Sequence, residues 1–201
     1  MLFVRDSSLP ATLKEYFATR KRLGVWKYLR DKEASRDSVL KALKKAEWVH
    51  FACHGGLDMR KPFESSFVLP GGKLTLLDLS RAHLRNAEFA FLSACHTAEQ
   101  PLTSATDEAL HLAAAIQFCG FRSVVGTMWQ LLDRDGPILA DAVYLHLMDG
   151  TEEGEVRFKR AAAAVREAAL HLRRSQKGWS DRGEEVDIMT ERWVNLIHIG
   201  A

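Results

Sequence analysis

Two short apolar segments constrain the fold of this chain more than any other feature. The first, residues 49–56, ends in His54 and two glycines, and the second, residues 89–97, reaches Cys95 about 40 residues later. Each has the length and composition of a buried strand with a reactive side chain at its C-terminal end. Ligands bind beside the carboxyl ends of strands in an open α/β sheet, so both side chains are expected at one edge. A thiol beside an imidazole indicates a nucleophile with its proton-transfer partner, as in a cysteine hydrolase.

The order of strand-like and helix-like segments along the chain predicts the α/β class. Strand-like segments alternate with helical segments of about 10–15 residues, which favours a mostly parallel sheet with helices on both faces. A Pro-Gly-Gly turn between two short apolar segments adds a small β-hairpin. Beyond the two strands above, the expected strands are 67–69, 73–76, 123–129 and 194–199, and the expected helices are 77–84, 107–118, 137–148 and 158–172.

The first 47 residues differ from the rest of the chain. They are polar and locally basic, and we interpret residues 1–47 as a helical lead-in of the same domain, whose main body is 48–201. A basic run of this kind is usually a solvated helix face, and no aromatic residues interleave it as they would for base stacking. No nucleic-acid partner is therefore expected. Four apolar residues are spaced loosely like one helical face: Leu13, Phe17, Leu23 and Trp26.

The composition sets further limits. With 201 residues, of which 47% are hydrophobic, the chain can bury a sizeable core without metals or disulfides. No apolar stretch approaches the ~20 residues of a membrane-spanning helix, so no membrane partner is expected. The chain has three cysteines, and Arg5 and Asp6 interrupt its first apolar residues, which is unlike a secretory leader. These features predict a reducing, cytoplasmic location.

Strand alternation separates the candidate residues from those that only pack. His50 lies mid-strand and is expected to be a buried, hydrogen-bonded core histidine, whereas His54 ends the strand beside two glycines. Cys53 and Cys119 are expected to be buried and inert, since apolar surroundings raise the pKa of a thiol. The adjacent pairs Cys-His at 53–54 and 95–96 point their side chains to opposite faces, which disfavours a zinc site. The same alternation makes His96 a poor base for Cys95, and no metal or cofactor is expected.

Four ordered motifs make the resemblance to a known family specific. They are His-Phe-Ala-Cys-His-Gly at 50–55, Ala-Phe-Leu-Ser-Ala-Cys-His-Thr-Ala at 90–98, Asp-Glu-Ala-Leu-His-Leu-Ala at 107–113 and Gly-Phe-Arg-Ser-Val-Val-Gly-Thr-Met-Trp at 120–129. The chain resembles CHAT domains of a fungal type, which are caspase-like cysteine peptidases related to separases and often fused to tetratricopeptide repeats. The resemblance implies a caspase-like sheet in residues 48–201, with Cys95 as nucleophile and His54 as catalytic histidine. His96 and the loop at 99–101 depart from the family pattern.

The resemblance also implies a mechanism and a substrate. The function it implies is a cysteine endopeptidase in a regulated signalling or defence role, acting on a protein or peptide substrate. The backbone N–H groups of Gly55 and Cys95 would stabilise the oxyanion. The resemblance also implies a regulatory partner, such as a repeat domain or an activator. By similarity to separases, an acid near Trp129 would select arginine or lysine before the cut, with Asp133 and Asp135 as the candidates.

Several alternatives stay open at this stage. Asp133 and Asp135 could instead only form the turn before Pro137 and cap its helix. Asp58 could orient His54, although a turn carboxylate is the simpler interpretation. The whole domain could be a catalytically idle pseudopeptidase that acts as a protein-interaction module. A further alternative is a thiol transpeptidase or ligase, which would join peptides instead of cutting them.

Overall fold

A computed structural model describes most of the chain. It covers residues 1–56, 58, 60–93, 108–128, 131–149, 157–175, 178–179, 185–186 and 190–200. The strands are β1 (Leu2–Arg5), β2 (Lys27–Arg30), β3 (Trp48–Ala52), β4 (His54–Gly56), β5 (Ser66–Leu69), β6 (Gly72–Thr75), β7 (Phe89–Leu92), β8 (Ser123–Thr127), β9 (Gly178–Trp179), β10 (Glu185–Val186) and β11 (Leu196–Gly200). The α-helices are α1 (Thr12–Arg22), α2 (Arg36–Leu43), α3 (Leu76–Arg81), α4 (Glu108–Phe118), α5 (Gly136–Met148), α6 (Ala161–Ser175) and α7 (Thr190–Trp193).

The main sheet has six strands in the order β2-β1-β3-β7-β8-β11. The first five run parallel, and β11 pairs antiparallel with β8 at one edge. Helices cover both faces, because strands buried on two sides need apolar partners on each. This architecture confirms the predicted α/β class and the mostly parallel sheet.

Residues 1–47 contribute two strands as well as two helices. This lead-in was expected to be helical, and it contains α1 and α2, but β1 and β2 accompany them and pair in parallel with the sheet. β1 is fully buried, whereas β2 buries Leu29 alone. A four-residue strand with one buried residue is too short to show a period-two pattern, so the sequence did not predict it.

The predicted hairpin is confirmed and belongs to a separate antiparallel sheet. β5 and β6 pair across the turn at 70–71, and Gly72 has a φ of 120°, which favours glycine. β4 adds to this hairpin, with His54 opposite Val68. The chain therefore leaves the main sheet at Cys53, between β3 and β4. The histidine segment predicted as one strand is two strands in two sheets.

The core forms two layers, one on each face of the sheet. In β3, Val49 and Phe51 pack into the layer made by α2, α3 and α4, while His50 faces the layer made by α5 and α6. The capping box between Thr75 and Asp78 fixes the start of α3. None of the described helices combines the length and apolar character needed to cross a membrane.

Helix α1 packs with its polar face inward. Thr12, Glu15 and Thr19 are buried, whereas Leu13 is 39% exposed and Phe17 is 57% exposed. Leu13 and Phe17, two of the four residues predicted as one helical face, therefore face solvent. Leu23 and Trp26 lie beyond the end of α1, and Leu23 packs against the core. Arg22 donates two hydrogen bonds of 2.9 Å to Asp141 of α5, which fixes the end of α1 against α5.

Candidate active site

Three neighbouring strands end together at the carboxyl edge of the main sheet. The register pairs Phe51 of β3 with Leu92 of β7. Beyond the paired residues, the Ser93 N–H donates to the Phe51 carbonyl over 2.9 Å, and the Asp6 N–H donates to the Ala52 carbonyl over 2.9 Å. The backbone at this edge is thus fixed across β1, β3 and β7.

The same edge is a topological switch point. After β1 the chain passes to α1 on the face of the sheet that carries His50, as the contact of Glu15 with His50 shows. After β3 it passes through β4 to α3, on the opposite face. Ligands of open α/β sheets bind in the crevice where neighbouring strands diverge in this way.

His54 begins β4 directly beyond this edge. Its side chain is partly exposed, and its backbone is held opposite Val68 by the antiparallel sheet. Gly55 is buried opposite Phe67. His54 is therefore partly accessible to solvent, and its backbone has a defined position.

Cys95 and Trp129 lie outside the described residues, as do His96 and the loop at 99–101. Ser93, which is buried, is the last described residue before Cys95.

A small cavity of about 30 Å³ lies at the carboxyl edge of the sheet. Such a volume holds about one water molecule. The segments that follow β1, β3, β7 and β8 all contribute to its wall, which shows that they converge at this point. Residues from these four segments include Thr12, Glu15, Cys53, Ser93, Asp133 and Gly136.

The two candidate pocket acids have different surroundings. Asp133 is exposed and lines the cavity. Asp135 is buried and stands at the N-cap of α5 without a side-chain capping bond. Its two carboxylate oxygens accept hydrogen bonds of 2.8 and 2.5 Å from Arg192 of α7. A buried bidentate pair of this kind fixes α7 to the segment before α5.

His50 is a core histidine, as predicted. It is fully buried and stacks between Phe3 and Phe91, at ring-centroid distances of 4.5 and 4.7 Å. Its Nε2 lies 3.0 Å from Glu15 Oε2, and its Nδ1 lies 2.9 Å from the Tyr144 hydroxyl. Both ring nitrogens are thus satisfied, which explains how an imidazole is accommodated in an apolar layer.

The partners of His50 were not predicted from the sequence. Burial, and secondly the nearby Glu15 carboxylate, raise the pKa of Tyr144 well above its usual range. Tyr144 therefore keeps its proton and can donate to Nδ1. Glu15 also approaches the start of α5 closely, because a Cβ at Gly136 would overlap Glu15 Oε1. Spacing gave no signal for these contacts, since Glu15 and Tyr144 are 35 and 94 residues from His50.

Two further predictions about side chains are confirmed. Cys53 and Cys119 are buried, and burial raises the pKa of Cys119 to about 11. Asp58 is a turn carboxylate, because its Oδ1 accepts from the N–H groups of Arg60 and Lys61 at 3.0 and 2.9 Å. Among the described residues, no group of three or more His, Cys, Asp or Glu side chains is arranged to hold a metal ion.

The fold and this edge define an α/β protein with a mostly parallel sheet, in which a histidine lies directly beyond one central strand and a cysteine motif follows the next strand in sequence. The CHAT domain family model matches residues 2–201, so the chain belongs to the CHAT-domain family, which is related to caspase-like cysteine proteases. A search of curated proteins finds no match to this chain.

Proposed function

We propose that this protein is a cysteine endopeptidase in which Cys95 is the nucleophile and His54 moves the proton. The observation that carries the proposal is the register of β3 against β7. Phe51 and Leu92 are directly paired, and His54 and Cys95 each follow a paired residue by three positions. Neighbouring strands lie about 4.8 Å apart, so the segments that lead to His54 and to Cys95 begin at adjacent points of one edge of the sheet.

Chain connectivity supports the same proposal. Successive Cα atoms are about 3.8 Å apart, so the Cα of Cys95 lies within about 7.6 Å of the Cα of Ser93. Ser93 is hydrogen-bonded to β3 and lines the cavity at the switch point. This short reach supports a position of the Cys95 sulfur near the edge at which His54 begins β4.

The proposed reaction has two stages. The Cys95 thiolate attacks the scissile carbonyl carbon, and the C–N bond breaks as His54 protonates the departing amine. Water then hydrolyses the thioester and regenerates the thiol. Backbone N–H groups of Gly55 and Cys95 would bind the oxyanion, a contact worth about 3–4 kcal/mol of barrier per donor.

For substrate selection, Asp133 is the stronger of the two candidate acids. It is exposed beside the cavity, whereas both oxygens of Asp135 accept from Arg192. A substrate arginine or lysine would have to displace Arg192 from Asp135 but not from Asp133. We therefore propose a preference for a basic residue before the cut, with Asp133 as its partner.

A fungal type, a signalling or defence role, a cytoplasmic location and a regulatory partner remain predictions from the sequence.

Alkylation by iodoacetamide near neutral pH, with mass mapping of each cysteine, tests the dyad. Cys53 and Cys119 serve as internal controls, since both are buried and the thiol of Cys119 has a raised pKa. We expect Cys95 to react at least about tenfold faster than either, because a partner imidazole raises its thiolate fraction. The variant His54→Ala should remove that advantage. Slow alkylation of all three cysteines would favour the idle interaction module.

A further inference from the structure

Helix α1 has an exposed apolar patch that the fold does not use. Leu13 and Phe17, one turn apart on α1, are 39% and 57% exposed. The face of α1 that contacts the domain is instead the polar one, with Thr12, Glu15 and Thr19. A surface helix normally turns its apolar stripe toward the core, so the outward stripe of α1 suits contact with another molecule.

The patch continues from α1 onto the edge strand β2 through aromatic rings in contact. The rings of Phe17 and Tyr16 have centroids 5.4 Å apart, and Tyr16 stacks on Tyr28 of β2 at 4.0 Å. The Arg30 guanidinium lies 5.9 Å from the centroid of the Tyr28 ring. These contacts join the helix and the strand into one surface, which we call the α1/β2 patch: Leu13, Tyr16, Phe17, Tyr28 and the basic side chains around them.

The exposed charged side chains of residues 12–30 are all basic, and the exposed acids Asp31 and Glu33 follow beyond the end of β2. Residues 12–30 contain one acid, Glu15, which is buried against His50. They contain six basic residues, of which Arg22 is paired with Asp141. The other five are exposed: Lys14, Arg20, Lys21, Lys27 and Arg30. An apolar centre with a rim of cations is complementary to a partner that carries apolar side chains flanked by carboxylates.

We propose that the α1/β2 patch docks an acidic, apolar-containing segment of a protein. Apolar side chains of that segment would cover Leu13 and Phe17, and its Asp or Glu residues would pair with Lys14, Lys21 and their neighbours. This proposal does not depend on Cys95 being catalytically active.

Two other classes of partner fit the patch less well. Nucleic-acid interfaces are polar and contact phosphates throughout, whereas the centre of this patch is apolar. Binding to a membrane surface grows with the apolar area that a helix buries in the lipid, and α1 exposes only two large apolar side chains for this, Leu13 and Phe17. Each class nonetheless gives a distinct outcome in the test below.

Peptide selection followed by titration tests the proposal. A displayed library of random peptides is selected on the immobilised full chain, and enriched peptides are titrated against variants by fluorescence anisotropy. We expect enriched peptides to combine Asp or Glu with Leu, Phe or Trp. Phe17→Asp should weaken their binding at least about tenfold, as for a central interface residue. Lys21→Glu should weaken it about threefold or more, and raising salt from about 0.05 to about 0.5 M should also weaken it.

Matched variants keep the test specific. Phe63→Asp changes a phenylalanine of equal exposure, 57%, on the segment between β4 and β5, and Arg85→Glu reverses an exposed charge before β7. Neither should change peptide affinity. Because Leu13 and Phe17 are exposed, Phe17→Asp should also leave the circular-dichroism melting curve unchanged, and Leu13→Gln provides a second variant.

Three outcomes would overturn the proposal. One is enrichment of peptides without acids, and another is peptide binding that Phe17→Asp and Lys21→Glu leave unchanged. The third is Phe17-dependent binding to vesicles containing phosphatidylserine, or to a single-stranded oligonucleotide, in place of peptides.

Discussion

Helices α1 and α6 lie on the same face of the sheet and both pack against α5, yet they bury opposite kinds of side chain. Their inward positions have the same helical spacing. On α1 these positions are polar: Thr12, Glu15 and Thr19. On α6 they are apolar: Ala161, Ala164, Ala168 and Leu172.

The difference lies in what each helix covers. α6 covers the apolar side chains of β8, α5 and β11, so alanine and leucine suffice. α1 covers His50, whose buried Nε2 needs a hydrogen-bond partner, and the carboxylate of Glu15 supplies it. The polar group beneath the helix therefore decides which face of α1 turns inward, and the apolar residues of α1 are left outside.

The largest expected effect comes from removing the inward acid of α1. Glu15→Ala leaves the buried N–H at His50 Nε2 without its acceptor and also leaves a cavity, so we expect a loss of about 3–5 kcal/mol in the free energy of unfolding. Urea denaturation monitored by circular dichroism measures it. Leu13→Ala, on the outer face of the same helix, is the matched control and should change stability little. Equal losses in the two variants would contradict the inverted packing of α1.

The corresponding change in α6 acts through a cavity. Leu172 is fully buried, and Leu172→Ala should lower the free energy of unfolding by about 2–4 kcal/mol. The same urea titration measures the loss. His171, the neighbouring exposed position, gives the control His171→Ala with a much smaller effect. A small loss in Leu172→Ala would show that the inner face of α6 is not tightly packed.

Tyr144 hydrogen-bonds to His50 beneath α1, so the stability of this polar contact depends on pH, whereas the apolar contacts of α6 do not. The pKa of Tyr144 is raised in the folded protein, so this residue contributes stability that is fully present below pH 10 and is lost as pH rises above the unfolded value. Tyr144→Phe should cost about 1–2 kcal/mol at neutral pH, because His50 Nδ1 loses its donor. It should also reduce the fall in stability between about pH 10 and 11. Thermal melts of wild type, Tyr144→Phe and Leu172→Ala across this range measure the slopes, and only the first substitution should change the slope.

The smallest expected effect is an increase in the free energy of unfolding instead of a loss. Thr19 of α1 is fully buried, and its hydroxyl has no hydrogen-bond partner among the described residues. Thr19→Val should therefore raise the free energy of unfolding, by up to about 1 kcal/mol. Thr12→Val is the comparison, since the Thr12 hydroxyl accepts from Arg5 and donates to a backbone carbonyl. Stability lost equally in both variants would indicate that the whole polar face of α1 is required.

Local patterns in the sequence were sufficient for much of the fold. The apolar runs at 49–52 and 89–92 form the adjacent strands β3 and β7, and the Pro-Gly-Gly turn forms the hairpin. The predicted helices at 137–148 and 158–172 correspond to α5 and α6, within three residues at each end. The sequences of these elements contain their own periodicity or turn signals, so the elements can be predicted without knowledge of the residues they pack against.

Elements that depend on partners distant in sequence could not be predicted from local patterns. β2 is a strand because it pairs with β1, and its sequence alternates too briefly to show it. The inward face of α1 depends on His50, which lies beyond the end of the helix in sequence. Asp135 was a candidate for substrate binding or helix capping, and its pairing with Arg192 could not be predicted from a separation of 57 residues. The meeting of His54 with Cys95 stays a prediction.

The most direct measurement of the central claim is cleavage of a peptide library by the full chain, with products identified by mass spectrometry. The account predicts cut peptides with arginine or lysine before the cleaved bond, and no products from Cys95→Ala or His54→Ala. Joined peptides would instead indicate a ligase. Equal cleavage by wild type and Cys95→Ala, or no cleavage by either, would contradict the proposal that Cys95 and His54 hydrolyse peptide bonds.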